Sequence, residues 1–248
     1  MPVRLSAALV AEFVGTFALT FVGILAIHNA PADISNPNNH LGLLMVAIAH
    51  GLTLAIMVTA AMPTSGGHLN PAVTFGFLVT GKIKPPAAIA YIVIQLLGGA
   101  MAALAVYVIS GDMHIVAQGT PMPGAGVGAG AAVLAEIIAT IFLVGVVWGT
   151  AADPRARSVG GFAIGLTIAI DILAVGPITG ASMNPARSFG PTIVANLPEL
   201  WHKHWIYCVG PLAGADIAAV TYHLVLWPRD VTKGIDPAAV NVPKSQSP

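Results

Sequence analysis

The chain has 248 residues, 56% of them hydrophobic and only 8% charged, with 10 basic against 10 acidic side chains. Soluble domains carry about 25% charged residues, so this composition belongs to an integral membrane protein, and the balanced charge argues against a nucleic-acid partner. The single cysteine, Cys208, excludes an internal disulfide and a cysteine-based metal site.

A membrane-spanning helix needs about 20 apolar residues. In chain order six segments qualify: 7–27, 41–62, 86–109, 130–150, 159–178 and 205–227. The first follows Arg4 but carries Glu12 and has a counterpart later in the chain, so it reads as a span rather than a signal peptide. Two further apolar stretches, 70–80 and 184–195, are half as long. At about 1.5 Å per residue they reach about 15 Å, half of the hydrocarbon core. They fit as re-entrant half-helices, stopped by Gly81 and by Asn196 with Pro198.

The order span, span, half-span, span then repeats. Ala11-Glu12-Phe13 is echoed by Ala135-Glu136-Ile137, and Ser65 to Val73 by Thr179 to Arg187; Tyr91 is echoed by Tyr207. Three full spans per copy force the second copy to enter the membrane inverted, which places a site near the midplane at the broken helices. The chain therefore divides into a first repeat, 1–110, a connecting loop, 111–129, a second repeat, 130–227, and a cytoplasmic tail, 228–248. Basic residues give a separate test. With the N-terminus inside, Arg4, Lys82, Lys84, Arg155, Arg157, Arg229, Lys233 and Lys244 are cytoplasmic, and only Lys203 lies in an outer loop.

Each half-span opens on the same tripeptide, Asn70-Pro71-Ala72 and Asn184-Pro185-Ala186. Asn caps a helix, and Pro fits its first position. A helix that starts at mid-membrane must aim its free N–H groups and positive dipole end at something polar. Each capping carbonyl oxygen is used by its own helix, so the side-chain amides face outward as donors with no acceptor among them. A water between them turns its oxygen to both, which breaks a proton relay, and the two positive helix ends repel a proton. Arg187 opposes the dipole three residues after a cap and is costly at membrane depth, so it reads as a pore-lining donor and cation barrier. The plainer alternative is a buried ion pair to Glu136 or Asp171. Glu12 and Glu136, in equivalent places, need buried partners, and the N–H groups of the re-entrant loops are the nearest candidates.

The doubled Asn-Pro-Ala, Ser65-Gly66-Gly67-His68, Arg187-Ser188-Phe189-Gly190-Pro191 and Gly210-Pro211 resemble the aquaporins, or major intrinsic proteins, over residues 7–227. The resemblance implies an all-α hourglass of six spans and two half-helices, a homotetramer with one pore per subunit, and Glu12 and Glu136 as braces of the loops. It implies Asn70 and Asn184 as the proton-excluding pair, with His68 lining the pore. The family's four constriction positions fall on His50, Ile172, Ala181 and Arg187, a set similar to plant tonoplast-type channels that pass ammonia or urea beside water. Residue depth gives the same placement. His50 lies about 14 Å below the outer end of its span and Ile172 about 20 Å above the inner end of its own, so both converge with Arg187 just outside the midplane.

The reading is a passive channel for water and small neutral solutes such as ammonia, excluding protons and ions. It needs no cofactor, metal or catalytic group, and the lipid bilayer is its surroundings. The host expected is a plasma (inner) membrane with both termini cytoplasmic. The alternatives are a glycerol or polyol facilitator, which Ser188 and His50 disfavour, and a junctional membrane protein with little conduction. Asp216, inside the last span, has no assigned partner.

Overall fold

The computed structural model describes residues 4–30, 40–156 and 159–227. Arg157, Arg229, Lys233 and Lys244 of the charge argument, and the tail 228–248, lie outside them. Among the described residues ten α-helices follow one another: α1 Leu5–Asn29, α2 His40–Ser65, α3 Pro71–Val79, α4 Pro85–Ser110, α5 Met113–Gln118, α6 Ala129–Val147, α7 Gly160–Thr179, α8 Pro185–Ala195, α9 Pro198–His204 and α10 Ile206–Thr221. Helices α6 and α10 each end in a π turn, Trp148–Ala152 and Tyr222–Leu226. Six helical stretches are long and apolar enough to cross a membrane, and no strand occurs among the described residues.

The half-helices are α3 and α8. Asn70 and Asn184 cap them, and Pro71 and Pro185 hold the first helical position. They stop where the sequence places breakers: Gly81 has φ 69°, and Asn196, the C-cap of α8, has φ 49°. Two short helices lie where loops were expected, α5 between the repeats and α9 ahead of the last span.

Packing repeats with the sequence. Helix α1 packs on α4 as α6 packs on α10, and α2 against α7 joins the two copies. Each half-helix leans on the third span of the other repeat, α3 on α10 and α8 on α4. The second crossing is close enough that a Cβ on Gly190 would collide with the Gly99 carbonyl, and one on Gly99 with the Ala186 carbonyl. Only glycine at both positions lets α8 reach the midplane. The outer walls are apolar, with Leu52, Ile56, Leu134 and Phe142 among the exposed side chains. Asp216 faces outward on α10 among them, whereas Asp171 is buried with Oδ2 unpartnered.

At the end of the bundle where α6 and α10 finish, three segments gather. Asp153, just past α6, accepts from Arg155 Nη2 at 2.6 Å and from the Tyr222 hydroxyl at 3.0 Å. Arg155 also donates to the Leu226 carbonyl, and Lys82 sits 3.1 Å from the Trp227 ring centroid. The Arg155 guanidinium holds the Asp153 carboxyl well below the usual carboxylate range, against the opposing effect of burial.

Candidate functional site

The tips of α3 and α8 meet and are tied to each other. Asn70 Oδ1 accepts from Ala72 N at 2.8 Å, and Asn184 Oδ1 accepts from Ala186 N at 3.0 Å and Arg187 N at 3.2 Å, the capping geometry the sequence implies. The amide nitrogens differ from the sequence expectation. Asn70 Nδ2 donates to the Met183 carbonyl at 2.8 Å and Asn184 Nδ2 to the Leu69 carbonyl at 2.9 Å. Each amide thus spends one N–H on the opposite loop, which supplies an acceptor the sequence did not reveal, and has a second N–H beyond that bond.

The two accepting residues are themselves unusual. Leu69 and Met183, each just before its Asn, adopt left-handed backbone, with φ 50° and 52°. For non-glycine residues that conformation costs about 1–2 kcal/mol. It persists because the loop N–H groups are held. Glu12 accepts from His68 N at 2.9 Å, Leu69 N at 2.6 Å and the Ser65 hydroxyl at 2.6 Å. Glu136 accepts from Ser182 N at 3.0 Å, Met183 N at 2.8 Å and the Thr179 hydroxyl at 2.7 Å. Both carboxylates are fully buried and in matching places.

Further supports were not singled out from the sequence as site residues. The Tyr91 hydroxyl donates to the Ser65 carbonyl at 3.0 Å and the Tyr207 hydroxyl to the Thr179 carbonyl at 2.8 Å, one per repeat. Gln95 departs from the symmetry. Its Nε2 donates to Glu12 at 2.7 Å, and the place it occupies four residues after Tyr91 is Pro211 after Tyr207. A buried glutamine among apolar residues in α4 was the signal available for it.

Both Asn residues line one narrow cavity, with a volume of about 20 Å³ open to water. Val58, Val147 and Ile164 line it together with His50, Ile172, Ala181 and Arg187. His68 also lines it, stacked on Phe77 with ring centroids 4.3 Å apart and with Nδ1 3.1 Å from Thr74 Oγ1.

His50 and Arg187 meet, with Nε2 and Nη2 3.3 Å apart. His50 Nδ1 lies 2.9 Å from the Val46 carbonyl, so Nδ1 carries the proton and donates there, leaving the Nε2 lone pair toward the guanidinium. Arg187 Nη1 donates to the Gly119 carbonyl at 2.9 Å. Neither Glu136 nor Asp171 forms an ion pair with it; among the described residues the one ion pair is Arg155–Asp153. The alternative sequence reading, a buried salt bridge at Arg187, is therefore set aside. Gly23 faces His50 so closely that a Cβ there would stand 2.5 Å from Nε2. Neither Gly119 nor Gly23 stood out in the sequence, because their effect depends on a neighbour far along the chain.

His202-Lys203-His204 lies on α9, and no group of three or more candidate ligands able to hold a metal forms among the described residues.

Comparison with known proteins agrees with this geometry. The family model described as major intrinsic protein matches residues 2–222. Aquaporin TIP4-4 of Zea mays is 42% identical over 221 residues, which is 87% of this chain and 84% of that one. Aquaporin TIP2-1 of Arabidopsis thaliana is 41% identical over 219 residues, 87% of this chain and 85% of its own. A solved structure of an aquaglyceroporin from Plasmodium falciparum superposes with a TM-score of 0.76, covering 90% of this chain and 97% of that one at 21% identity, which speaks to the fold alone. The two plant relatives carry TIP-type names, so they give no support to the expected plasma-membrane location. The chain belongs to the major intrinsic protein family, the aquaporin channels, and is an integral multi-pass membrane protein.

Proposed function

We propose that this chain is a passive pore for water and small neutral solutes, ammonia among them, that turns back protons and ions. One observation carries the reading: the facing caps of α3 and α8 line the same cavity as Arg187 and His50, which stand 3.3 Å apart. In this reading Asn70 and Asn184 each offer one remaining N–H to the passing molecule. A water that accepts from both has its own hydrogens turned away along the path, so no proton is handed across. The two helix N-termini add a positive potential at the same depth. Arg187 bars cations, and its free donors together with His50 exchange hydrogen bonds with the solute. Ile172 and Ala181 are apolar, and the small Ala181 leaves width on its side, which favours ammonia over a strict water path.

Glu12 and Glu136 act as braces, without direct contact with the solute. His68 serves as a wall on the inner side, and the termini face the cytoplasm. Assembly as a homotetramer belongs to the same reading.

Stopped-flow measurement of water, ammonia, urea and glycerol flux in one reconstituted preparation tests the proposal. Fast water and ammonia flux with slow glycerol supports it. Dominant glycerol flux would mark a polyol facilitator, and permeability equal to empty vesicles would mark a protein that does not conduct.

A further inference from the structure

The first repeat holds a chain of polar side chains that the second lacks. Glu12 accepts from four donors, two on each oxygen: the Ser65 hydroxyl at 2.6 Å and His68 N at 2.9 Å on Oε1, Leu69 N at 2.6 Å and Gln95 Nε2 at 2.7 Å on Oε2. Gln95 Nε2 also lies 3.0 Å from Thr74 Oγ1, which in turn lies 3.1 Å from His68 Nδ1. Glu12, Gln95, Thr74 and His68 are all buried. In the second repeat Pro211 takes the place of Gln95, and Ser182 and Ser188 take those of His68 and Thr74. Their hydroxyls donate to carbonyls close by in the chain, Ser182 to Asn184 and Ser188 to Pro185, both at 3.0 Å.

We propose that Gln95 is a positioning residue for the pore: through Thr74 it fixes the tautomer of His68, so that the ring carries its proton on Nε2 and shows the lumen a donor. This inference rests on the channel reading and adds to it which atom of His68 meets the solute. The direction of each bond follows from the one before. Glu12 has donors at every lone pair and can only accept, so the Gln95 amide must turn its NH2 rather than its oxygen toward it. One of the two N–H groups goes to Glu12 and the other to Thr74. Thr74 Oγ1 accepts there, which leaves its O–H to donate. His68 Nδ1 at 3.1 Å is nearer than Gln95 Oε1 at 3.4 Å, and the latter belongs to the amide already donating to this hydroxyl. Nδ1 therefore accepts, and in a neutral ring the proton then sits on Nε2.

His68 Nε2 has no hydrogen-bond partner among the described residues and is not sealed from solvent, and the residue lines the cavity. His50 is set the other way, since its Nδ1 donates to the Val46 carbonyl and its Nε2 is bare. The two cavity histidines thus offer opposite partners, a lone pair at His50 and an N–H at His68. A donor at His68 suits water and ammonia, which carry lone pairs. It offers nothing to ammonium, which has only N–H groups.

The test takes the full chain in lipid vesicles, isotopically labelled in its histidine ring nitrogens, and reads them by solid-state NMR. His68 is assigned by the signals that vanish in His68→Asn. The native ring should show a protonated Nε2 and a bare Nδ1, with the Nε2 proton in contact with water. Thr74→Val and Gln95→Met should each lower the ratio of the Nε2–H to the Nδ1–H form about fivefold, the scale of one hydrogen bond. Thr74→Ser should keep the native ratio. A native ring protonated on Nδ1, an Nε2 proton out of contact with water, or a ratio unchanged in both Thr74→Val and Gln95→Met overturns the inference. Stopped-flow water flux on the same vesicles reads the channel claim separately. Flux no faster than through bare lipid contradicts that claim whatever the tautomer, and with it the role of His68 toward a solute.

Discussion

At the scale of single residues, the site depends on backbone carbonyls aimed by strained neighbours. Leu69 and Met183 take left-handed backbone, and each carbonyl accepts from the asparagine of the other half-helix. Replacing Asn70 or Asn184 by Ala removes a cap worth about 1 kcal/mol and one of the two ties between the loops. The expected result for either variant is a folded channel with reduced water flux, measured by stopped-flow scattering; unchanged flux would detach the caps from conduction. Arg187→Val removes the cation and both of its donor contacts. Urea flux and proton leak should both rise, measured on vesicles with an internal pH dye, and a proton-tight variant would contradict the assigned barrier. Gly23→Ala tests the wall from behind, since the added methyl displaces the His50 ring. Its water-to-urea flux ratio should change while its helical content does not.

At the scale of elements, the half-helices were legible because their start and stop signals are local. Asn-Pro opens each one, and Gly81 and Asn196 close them in left-handed backbone. Helices α5 and α9 were not legible. Six and seven residues flanked by Gly and Pro carry too little periodicity to separate from a loop. The braces were half legible. The paired glutamates stand out as charges inside spans, but Gln95 and the reciprocal carbonyls need the fold before they mean anything. Glu12→Gln and Glu136→Gln each turn an acceptor toward N–H groups as a competing donor. Leaving a buried N–H without its acceptor costs about 1–3 kcal/mol, so both variants should melt earlier in detergent with reduced flux. Equal stability to the native protein would contradict the bracing role. Gly190→Val should stop α8 docking on α4 and abolish folded protein, since the collision is with the Gly99 carbonyl rather than a flexible side chain.

At the scale of the whole molecule, the inverted repeat was read from echoed motifs and an inside excess of Lys and Arg. The exchange of half-helices between repeats, each seated on the other copy's third span, lies beyond what those signals specify. A clamp of Asp153, Arg155 and Tyr222 fastens the segment after α6 to the end of α10. A carboxyl held below its unfolded value of about 3.9 stabilises the fold at every pH above that value and loses its effect only as pH falls through the lowered one. The clamp should therefore stay closed across about pH 5 to 8. Asp153→Asn should speed tryptic cleavage at Arg155 relative to the native protein at each pH in that range, and equal rates for the two at any of those pH values would count against it.

The central claim is that α3 and α8 abut around one aqueous thread that carries water but no protons. The direct measurement records osmotic water permeability and proton conductance on the same reconstituted vesicles. The account predicts water flux far above that of empty liposomes, with proton leak equal to theirs. Water flux no faster than through bare lipid, or proton leak that rises with protein content, would contradict it.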